Sequence, residues 1–291
     1  MKEILITGVN SYIGTSFKKW LAQWPDKYEV DTIDMVDSSW KEKDFSGYDT
    51  VYHVAGIAHN DTGKADDKKK SLYYKVNTDL AIETAKKAKA DGVKQFIMMS
   101  SIIVYGASAK IGQIKVINRD TEPAPISFYG DSKLRAEQGI LSLQDENFNV
   151  VILRTPMVYG KGSKGNYPIL VKYALKLPFF PDIDNQRSMI YIENLMEFVK
   201  LMVDNNESGI FYPQNKEYVK TSDMVRLVAE AHGKKINMTK LFNPAIKLFK
   251  NNTILQKVFG NLCYDLDISR YKQKYELNDF KSSIYRTENI Q

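Results

Sequence analysis

The stretch ITGVNSYIGTSF, residues 6–17, decides the fold of this chain. It continues the short apolar run of the first residues and leads into a segment with apolar residues at helical spacing. Gly8 permits a tight turn, and Gly14 lets the following helix pack closely against the strand. The N-terminus of that helix would present backbone N–H groups and a positive dipole end to a pyrophosphate. The stretch therefore predicts a strand, a phosphate-binding turn and a helix.

Strands and helices alternate after this turn through the first half of the chain. Four apolar segments are typical of strands: EVDTID (29–34), TVYHVAG (50–56), QFIMMS (95–100) and NVVILR (149–154). Apolar strands that alternate with helices indicate a parallel sheet covered on both faces. We therefore expect an α/β fold, a Rossmann-type doubly wound parallel sheet with a small discontinuous C-terminal substrate domain.

The domain boundaries are predicted from a change in composition after Arg154, where glycines and prolines lengthen the loops. Residues 1–156 and 188–208 would form the dinucleotide-binding domain, because the helix over 188–208 would pack back on it. Residues 157–187 and 209–291 would form the substrate-binding region.

The composition excludes several classes of protein. The 291 residues include 41 basic and 35 acidic side chains, a net charge of +6, with scattered lysines. Scattered lysines favour a solvated surface or an anionic small molecule, so we expect no nucleic-acid partner.

Cys263 is the single cysteine, and no segment has the pattern of a signal peptide or a membrane span, which favours the cytoplasm. No cluster has the spacing of metal ligands, so no metal is expected.

Asp34 ends the second predicted strand, at the usual spacing after the phosphate turn. An acid at this place accepts hydrogen bonds from the adenosine ribose and repels a 2′-phosphate. No arginine follows nearby, although Lys41 and Lys43 do. The residue therefore predicts NAD as the cofactor, with NADP as the alternative.

A tyrosine and a lysine stand four residues apart in SFYGDSKLRAEQ (127–138), which puts Tyr129 and Lys133 on one helical face. A tyrosine with its ordinary pKa near 10 is a poor base at neutral pH. A nearby ammonium and a cationic nicotinamide ring would stabilise the phenolate; lowering the pKa to about 7 takes ~4 kcal/mol. By itself this spacing often arises by chance in a lysine-rich chain, so it does not identify a catalytic pair.

Five motifs together carry a resemblance: TGVNSYIG, VYHVAG, SSIIVYG, YGDSK and LRTPMVYG occur in the order and spacing of the extended short-chain dehydrogenase/reductases. From residue 1 to about 230 the chain resembles the NAD-dependent epimerase/dehydratase branch, which acts on nucleotide sugars. Within this branch, its sequence pattern is similar to that of the short bacterial surface-polysaccharide enzymes, a group of UDP-sugar 4-epimerases and 4-ketoreductases. The resemblance implies a nucleotide-sugar substrate, UDP-linked, and we expect a homodimer.

The resemblance also implies catalytic roles. Tyr129 would be the acid/base, Lys133 would hold the nicotinamide ribose and lower the tyrosine pKa, and Ser101 would hydrogen-bond the reacting sugar oxygen. Ser11 replaces the middle glycine of the phosphate turn and puts a side chain beside the pyrophosphate. The cofactor contacts implied are Gly8, Ser11, Tyr12, Ile13, Gly14, Asp34, Asp44, Phe45, Ala55, Gly56, Asn77 (mostly structural), Tyr129, Lys133 and Pro156.

The substrate residues implied by the resemblance follow later in the chain. Arg187 would grip the diphosphate, and Asn166 lies near a second contact with it. Met157 stands where many 4-epimerases have asparagine, so the diphosphate grip should differ. Cys263 or Tyr264 aligns with the wall beside C2 of the sugar; we favour Cys263, a small residue that would admit a 2-acetamido group. A buried structural cysteine is the alternative.

Two isoleucines, Ile102 and Ile103 in SSIIVYG (100–106), narrow the reaction. Relatives that are 4,6-dehydratases place an acid directly after the active-site hydroxyl, and GDP-sugar 3,5-epimerases place a cysteine there. Isoleucine is neither an acid nor a cysteine. The predicted reaction is therefore limited to moving one hydride and one proton at a single alcohol carbon of the sugar. An NAD-dependent 4-epimerase fits and is favoured, while an NAD(P)H-dependent 4-ketoreductase of a UDP-4-keto-deoxy-N-acetyl sugar uses the same motifs. A cofactor-binding regulator without catalysis is a third interpretation.

Two features have alternative explanations. The stretch LFNPAIKLFKNNTILQKVFGNL (241–262) interleaves apolar residues with Lys247, Lys250 and Lys257. It predicts either two helices that complete the substrate region or a surface for peripheral membrane association. His59 and Asn60 would line the substrate entrance or lie on a surface loop.

Overall fold

The structure of the chain is a computed structural model, and its described residues are 1–57, 67–249 and 251–288. The strands are β1 (Lys2–Thr7), β2 (Tyr28–Ile33), β3 (Thr50–His53), β4 (Gln95–Ser101), β5 (Val116–Ile117), β6 (Asn149–Thr155), β7 (Met157–Tyr159), β8 (Phe179–Pro181), β9 (Met189–Tyr191), β10 (Gly209–Phe211), β11 (Asn237–Thr239) and β12 (Cys263–Tyr264). The α-helices are α1 (Tyr12–Leu21), α2 (Asp67–Tyr74), α3 (Leu80–Ala90), α4 (Phe128–Leu141), α5 (Asn166–Lys176), α6 (Ile192–Asp204), α7 (Thr221–Ala231), α8 (Asn243–Leu248), α9 (Thr253–Phe259) and α10 (Phe280–Thr287). Shorter helical turns cover Ser39–Lys41, Lys75–Asp79, Ile102–Tyr105 and Leu266–Ser269.

A parallel sheet with the strand order β10-β6-β4-β3-β1-β2 is the largest sheet among the described residues. Its inner strands β3, β4 and β6 are buried at nearly every position, as expected for strands covered on both faces. The edge strand β2 is largely exposed. The sheet confirms the predicted α/β doubly wound fold, and each of the apolar segments predicted as strands is a strand of it.

The chain divides into two compact units. The first comprises residues 1–106, 122–155 and 196–213, and the second comprises residues 107–121, 156–195 and 214–291. These boundaries differ from the expected ones at residue 156, which belongs to the second unit, and over three longer stretches, where strand pairing explains the difference. Residues 107–121 join the second unit because β5 pairs with β12, and residues 188–195 join it because β9 pairs with β7. Residues 209–213 join the first unit, because β10 pairs with β6 at the sheet edge.

Neither a membrane-spanning helix nor a metal-binding cluster of side chains occurs among the described residues. None of the helices there has the length and apolarity that a bilayer crossing requires. No group of three or more His, Cys, Asp or Glu side chains in the same part of the chain is arranged to hold a metal ion.

Candidate functional site

The phosphate turn lies where the strand order of the sheet reverses, since β1 has β2 on one side and β3 on the other. Ligands of doubly wound sheets bind at this point, outside the carboxyl ends of the strands. Gly8 follows β1 with a φ of +91°, and its N–H donates to the carbonyl of Ile33 at 2.9 Å. A Cβ on Gly8 would lie 3.1 Å from Cα of Ala55, which is in the loop after β3. The backbone conformation and the close approach therefore both require glycine.

Helix α1 begins at this turn, and Ser11 is its N-cap. The Ser11 hydroxyl accepts a hydrogen bond from the Gly14 N–H at 2.8 Å, so the residue that replaces a glycine stabilises the helix start. A Cβ on Gly14 would lie 2.9 Å from Cγ2 of Ile6, which explains how closely α1 packs on β1. Tyr12 and Ile13 form the first helical turn and are half-buried. A helix N-terminus beside a glycine turn suits a pyrophosphate, so these residues fit a dinucleotide.

Asp34 is exposed directly after β2, and its carboxylate accepts from the N–H of Val36 at 3.0 Å. Asp44 is exposed as well and accepts from the N–H of Ser46 at 2.8 Å. Phe45 is fully buried, with its ring in the hydrophobic core. Asp34 therefore has the exposure that a ribose contact needs, while the adenine contacts at Asp44 and Phe45 stay predictions.

Lys133 is buried in α4, one turn after Tyr129, and its amine donates to the carbonyl of Met99 at 3.0 Å. A Cβ on Gly56 would lie 3.3 Å from Nζ of Lys133, so the loop after β3 passes directly beside this amine. Desolvation lowers the pKa of Lys133 to about 8, while the carboxylate of Glu137 opposes the shift. The Met99 carbonyl thus fixes the direction of the amine, and the lowered pKa of the amine lies close to neutral pH.

Tyr129 is half-buried in the first turn of α4, where the Ser127 hydroxyl caps the helix by accepting from the Gly130 N–H at 3.1 Å. A Cβ on Gly130 would lie 2.9 Å from the Ile103 carbonyl oxygen, so the glycine lets α4 begin against the turn that follows β4. Ser101 starts that turn, and its hydroxyl accepts from the Ile103 N–H at 3.3 Å. The first unit therefore brings the start of α4 and the end of β4 together.

Asn77 is completely buried in the π-helical turn Lys75–Asp79. Its side-chain carbonyl accepts from the Ile57 N–H at 2.8 Å, and its amide donates to the Ile57 carbonyl at 3.1 Å and to the Ser132 hydroxyl at 3.2 Å. These bonds join the loop after β3 to the residue that precedes Lys133. Asn77 therefore has a supporting role in the structure.

A buried polar network around Glu137, one helical turn after Lys133, was not predicted from the sequence motifs. Glu137 is one turn after Lys133 in α4 and receives hydrogen bonds from Ser100 and from Arg154, the latter at 2.7 Å. Arg154 also donates to the Tyr105 hydroxyl at 2.6 Å. Glu137 continues the spacing of Tyr129 and Lys133 by four residues, and extending that pattern would have found it.

Two of the predicted substrate residues are neighbours in the second unit. Arg187 pairs by backbone with Leu262, the residue before Cys263, and its guanidinium donates to the carbonyl oxygens of Lys257 and Gly260 at 3.0 and 3.1 Å. Desolvation lowers the pKa of Arg187, and the neighbouring Cys263 opposes the shift. No carboxylate pairs with Arg187 within the described ranges, so this desolvated cation is suited to an anionic ligand.

Cys263 is 1% exposed in β12 and pairs with Val116 of β5. Burial raises the pKa of its thiol to about 11, so the group stays protonated at neutral pH. Asn166 is exposed as the first residue of α5, and among the described residues it makes no hydrogen bond to Arg187. Pro156 is buried directly after β6. The roles of these residues stay predictions, and His59 and Asn60 lie outside the described residues.

The fold and the first-unit site define a class of protein. A dinucleotide-type phosphate turn, an exposed acid after β2, and a tyrosine–lysine pair on the helix that packs against β4 would suit a nicotinamide-dependent enzyme. The model of the NAD dependent epimerase/dehydratase family matches residues 4–213. The chain belongs to this family, which confirms the resemblance and the predicted class of cofactor.

Comparison with known proteins gives more specific relatives. The chain is 31% identical to a UDP-glucose 4-epimerase of Vibrio cholerae, over 94% of this chain and 89% of that protein. It is 25% identical to an N-acetyl-alpha-D-glucosaminyl-diphospho-ditrans,octacis-undecaprenol 4-epimerase of Escherichia coli O157:H7, over 96% of this chain and 83% of that one. The solved UDP-glucuronic acid 4-epimerase of Bacillus cereus, a complex with NAD, is 19% identical; the match covers 99% of this chain and 97% of that one, with a TM-score of 0.73. That likeness shows the shared fold.

Proposed function

We propose that this enzyme is an NAD-dependent 4-epimerase of a nucleotide sugar, with Tyr129 as its acid/base. The buried amine of Lys133 carries the proposal: it is one turn from Tyr129, is oriented by a backbone carbonyl and lies beside the loop after β3. The relatives at 31% and 25% identity are both named as 4-epimerases, which supports the same reaction class.

The proposed chemistry assigns one task to each residue. Tyr129 removes the proton from the C4 hydroxyl and later returns it. NAD, held by the phosphate turn and Lys133, would supply the acceptor and donor of the C4 hydride. The ammonium of Lys133 stabilises the Tyr129 phenolate electrostatically, and the Met99 carbonyl keeps that ammonium in place. Ser101 donates its hydroxyl hydrogen to the reacting sugar oxygen; its bond from the Ile103 N–H uses only a lone pair and leaves that hydrogen available.

The side chains after Ser101 argue against loss of water from the sugar. Ile102 is buried and Ile103 is half-buried, and neither can give a proton to a leaving hydroxyl or take one from carbon. We therefore propose that the enzyme is not a 4,6-dehydratase. A 4-ketoreductase would use the same three polar residues, and the two reactions differ in their demand for added reduced cofactor.

The proposed substrate is UDP-linked, a UDP-N-acetylhexosamine or UDP-hexose. Arg187, which has no carboxylate partner in the described part of the chain, would bind the diphosphate. Cys263 would leave room for a 2-acetamido group, so acetamido sugars should be accepted at least as well as 2-hydroxy sugars. Replacing Cys263 by tyrosine should then reduce turnover of the acetamido sugar alone, because overpacking costs ~1 to 3 kcal/mol.

A panel of sugars tests the proposal. The purified protein is incubated with UDP-glucose, UDP-galactose, UDP-N-acetylglucosamine and UDP-N-acetylgalactosamine without added cofactor, and the products are separated by chromatography. We expect conversion within one gluco/galacto pair. Turnover of none of them, with reduction of a 4-keto sugar by added NADPH, would contradict the epimerase and favour the ketoreductase.

A further inference from the structure

One surface of the second unit combines exposed apolar side chains with lysines and has no task in the proposed reaction. It comprises residues 240–249, which include α8, residues 254–257 of α9, and Leu177 and Phe179; we call it the basic apolar face. Leu248 is 80% exposed, Leu241 79% and Ile254 68%. Single exposed apolar residues are ordinary on protein surfaces, but a contiguous group of large ones marks an interaction site.

A groove runs through this face and has a volume of about 350 Å³. The rings of Phe179 and Phe242 stack in it with their centroids 5.4 Å apart. All of its lining side chains are apolar, among them Leu177, Phe179, Phe242, Ile246, Phe249 and Leu255. The groove therefore offers no hydrogen-bonding group to a polar ligand and suits hydrocarbon.

The charged side chains of the basic apolar face itself are all lysines. Residues 234–264 contain no aspartate or glutamate, and they contain six lysines: Lys234, Lys235, Lys240, Lys247, Lys250 and Lys257. Lys240, Lys247 and Lys257 are exposed, and the latter two form no ion pair within the described ranges. The carboxylate of Asp182, which interacts with Lys240, is already paired with Lys220 at 2.8 Å. The face is thus basic and largely without compensating acids.

We propose that the basic apolar face binds an anionic lipid bilayer. Its large apolar side chains would enter the headgroup region, and its lysines would contact the lipid phosphates. A second copy of this chain fits less well, because a symmetric contact would place the unpaired lysines of both copies against each other. The lipid surface satisfies both the apolar and the basic parts of the face. The surface is separate from the chemistry of Tyr129, so the proposal does not depend on the proposed function.

Vesicle flotation tests the proposal with the intact chain and no substrate. Vesicles of equal parts phosphatidylglycerol and phosphatidylcholine are compared with vesicles of phosphatidylcholine alone. We expect binding to the anionic vesicles only, decreasing as salt is added. Removing Lys247 and Lys257 together, both as glutamine, should weaken binding about 30-fold, roughly fivefold for each lysine near an anionic surface.

Two further variants make the test specific. The double change Leu248→Ser and Phe249→Ser should also weaken binding, since it removes the apolar contact and keeps the charge. The matched control replaces the exposed Lys27 and Lys94 of the first unit by glutamine and should bind as the unchanged protein does. Equal losses in the control, or no flotation of the unchanged protein, would overturn the proposal. A dimer that dissociates in the Leu248/Phe249 variant, without vesicle binding, would assign the face to a second copy instead.

Discussion

The Lys133 amine has to keep its charge in a buried position if it is to stabilise a phenolate on Tyr129. Burial opposes this, because desolvation lowers its pKa to about 8. Glu137, one helical turn further, acts in the other direction, and Arg154 holds that carboxylate in place. The acid/base chemistry proposed for Tyr129 would thus depend on the buried Glu137–Arg154 ion pair.

The first prediction concerns this ion pair. Glu137→Gln should lower the free energy of unfolding by about 3–5 kcal/mol, because it leaves the Arg154 guanidinium buried without a carboxylate. Urea denaturation measures the loss, and replacing Arg154 by methionine in the same chain should recover part of it. The control is Glu83→Gln, which breaks the exposed pair with Lys41 and should cost under about 1 kcal/mol. Equal effects of the two glutamate changes would contradict the role given to the buried pair.

The second prediction concerns the proposed diphosphate contact. Arg187→Ala should raise KM for a UDP-sugar by one to two orders of magnitude, since a charge-assisted hydrogen bond contributes ~1.5–3 kcal/mol. Steady-state kinetics measures KM and kcat separately, and kcat should change less. Arg226→Ala, at an exposed arginine paired with Glu230 on α7, is the control. An unchanged KM in the Arg187 variant would place the diphosphate contact elsewhere.

At the scale of elements, the strands of the central sheet were predictable and the pairings of the second unit were not. The apolar runs of β1, β3, β4 and β6 are local signals, and burial on both faces keeps them nearly continuous. In contrast, β5 and β12 are two-residue strands whose partners, Val116 and Cys263, are far apart in the chain. No local pattern marks such a pair. The Glu137–Arg154 pair was only half predictable: the four-residue spacing on α4 leads to Glu137, but no local pattern leads from there to Arg154 on β6.

The third prediction belongs to the end of β2. Asp34→Ala should shift the preference from NAD toward NADP, because the carboxylate that would repel a 2′-phosphate is removed. Dissociation constants for both dinucleotides, measured by calorimetry, report the shift. Asp37→Ala removes the same charge from an exposed position three residues later and should leave the preference unchanged. Tighter binding of NADP by the unchanged protein would show the assignment of NAD to be wrong and would favour the ketoreductase.

At the scale of the whole molecule, the core of the first unit links folding to pH. His53 is buried in β3, bonded to the Thr7 hydroxyl through Nδ1 at 2.9 Å and stacked on Phe96. Desolvation lowers its pKa to about 3, with a further contribution from the charge of Lys133. The folded protein therefore keeps this ring neutral at a pH where an unfolded chain would protonate it.

The fourth prediction follows from that difference. Because the pKa of His53 is lower in the folded state, its contribution to stability is complete above about pH 6.5 and is lost as the pH falls toward 3. The loss should be at most ~1.4 kcal/mol per pH unit, the value for one proton. Urea denaturation at a series of pH values measures the slope, and His53→Gln should reduce it. The same slope in both proteins would show that His53 does not titrate on unfolding.

The proposed 4-epimerase reaction is tested most directly by following the hydrogen on C4 of the sugar. A UDP-sugar that the enzyme accepts is prepared with deuterium at C4, and its epimerisation is followed by NMR without added cofactor. We predict a C4 epimer that retains the deuterium, and at least a hundredfold slower reaction with Tyr129→Phe. The control Tyr74→Phe removes a hydroxyl bonded to Asp131 and should react at close to the normal rate. Loss of the deuterium to water, or undiminished turnover by the Tyr129 variant, would contradict the account.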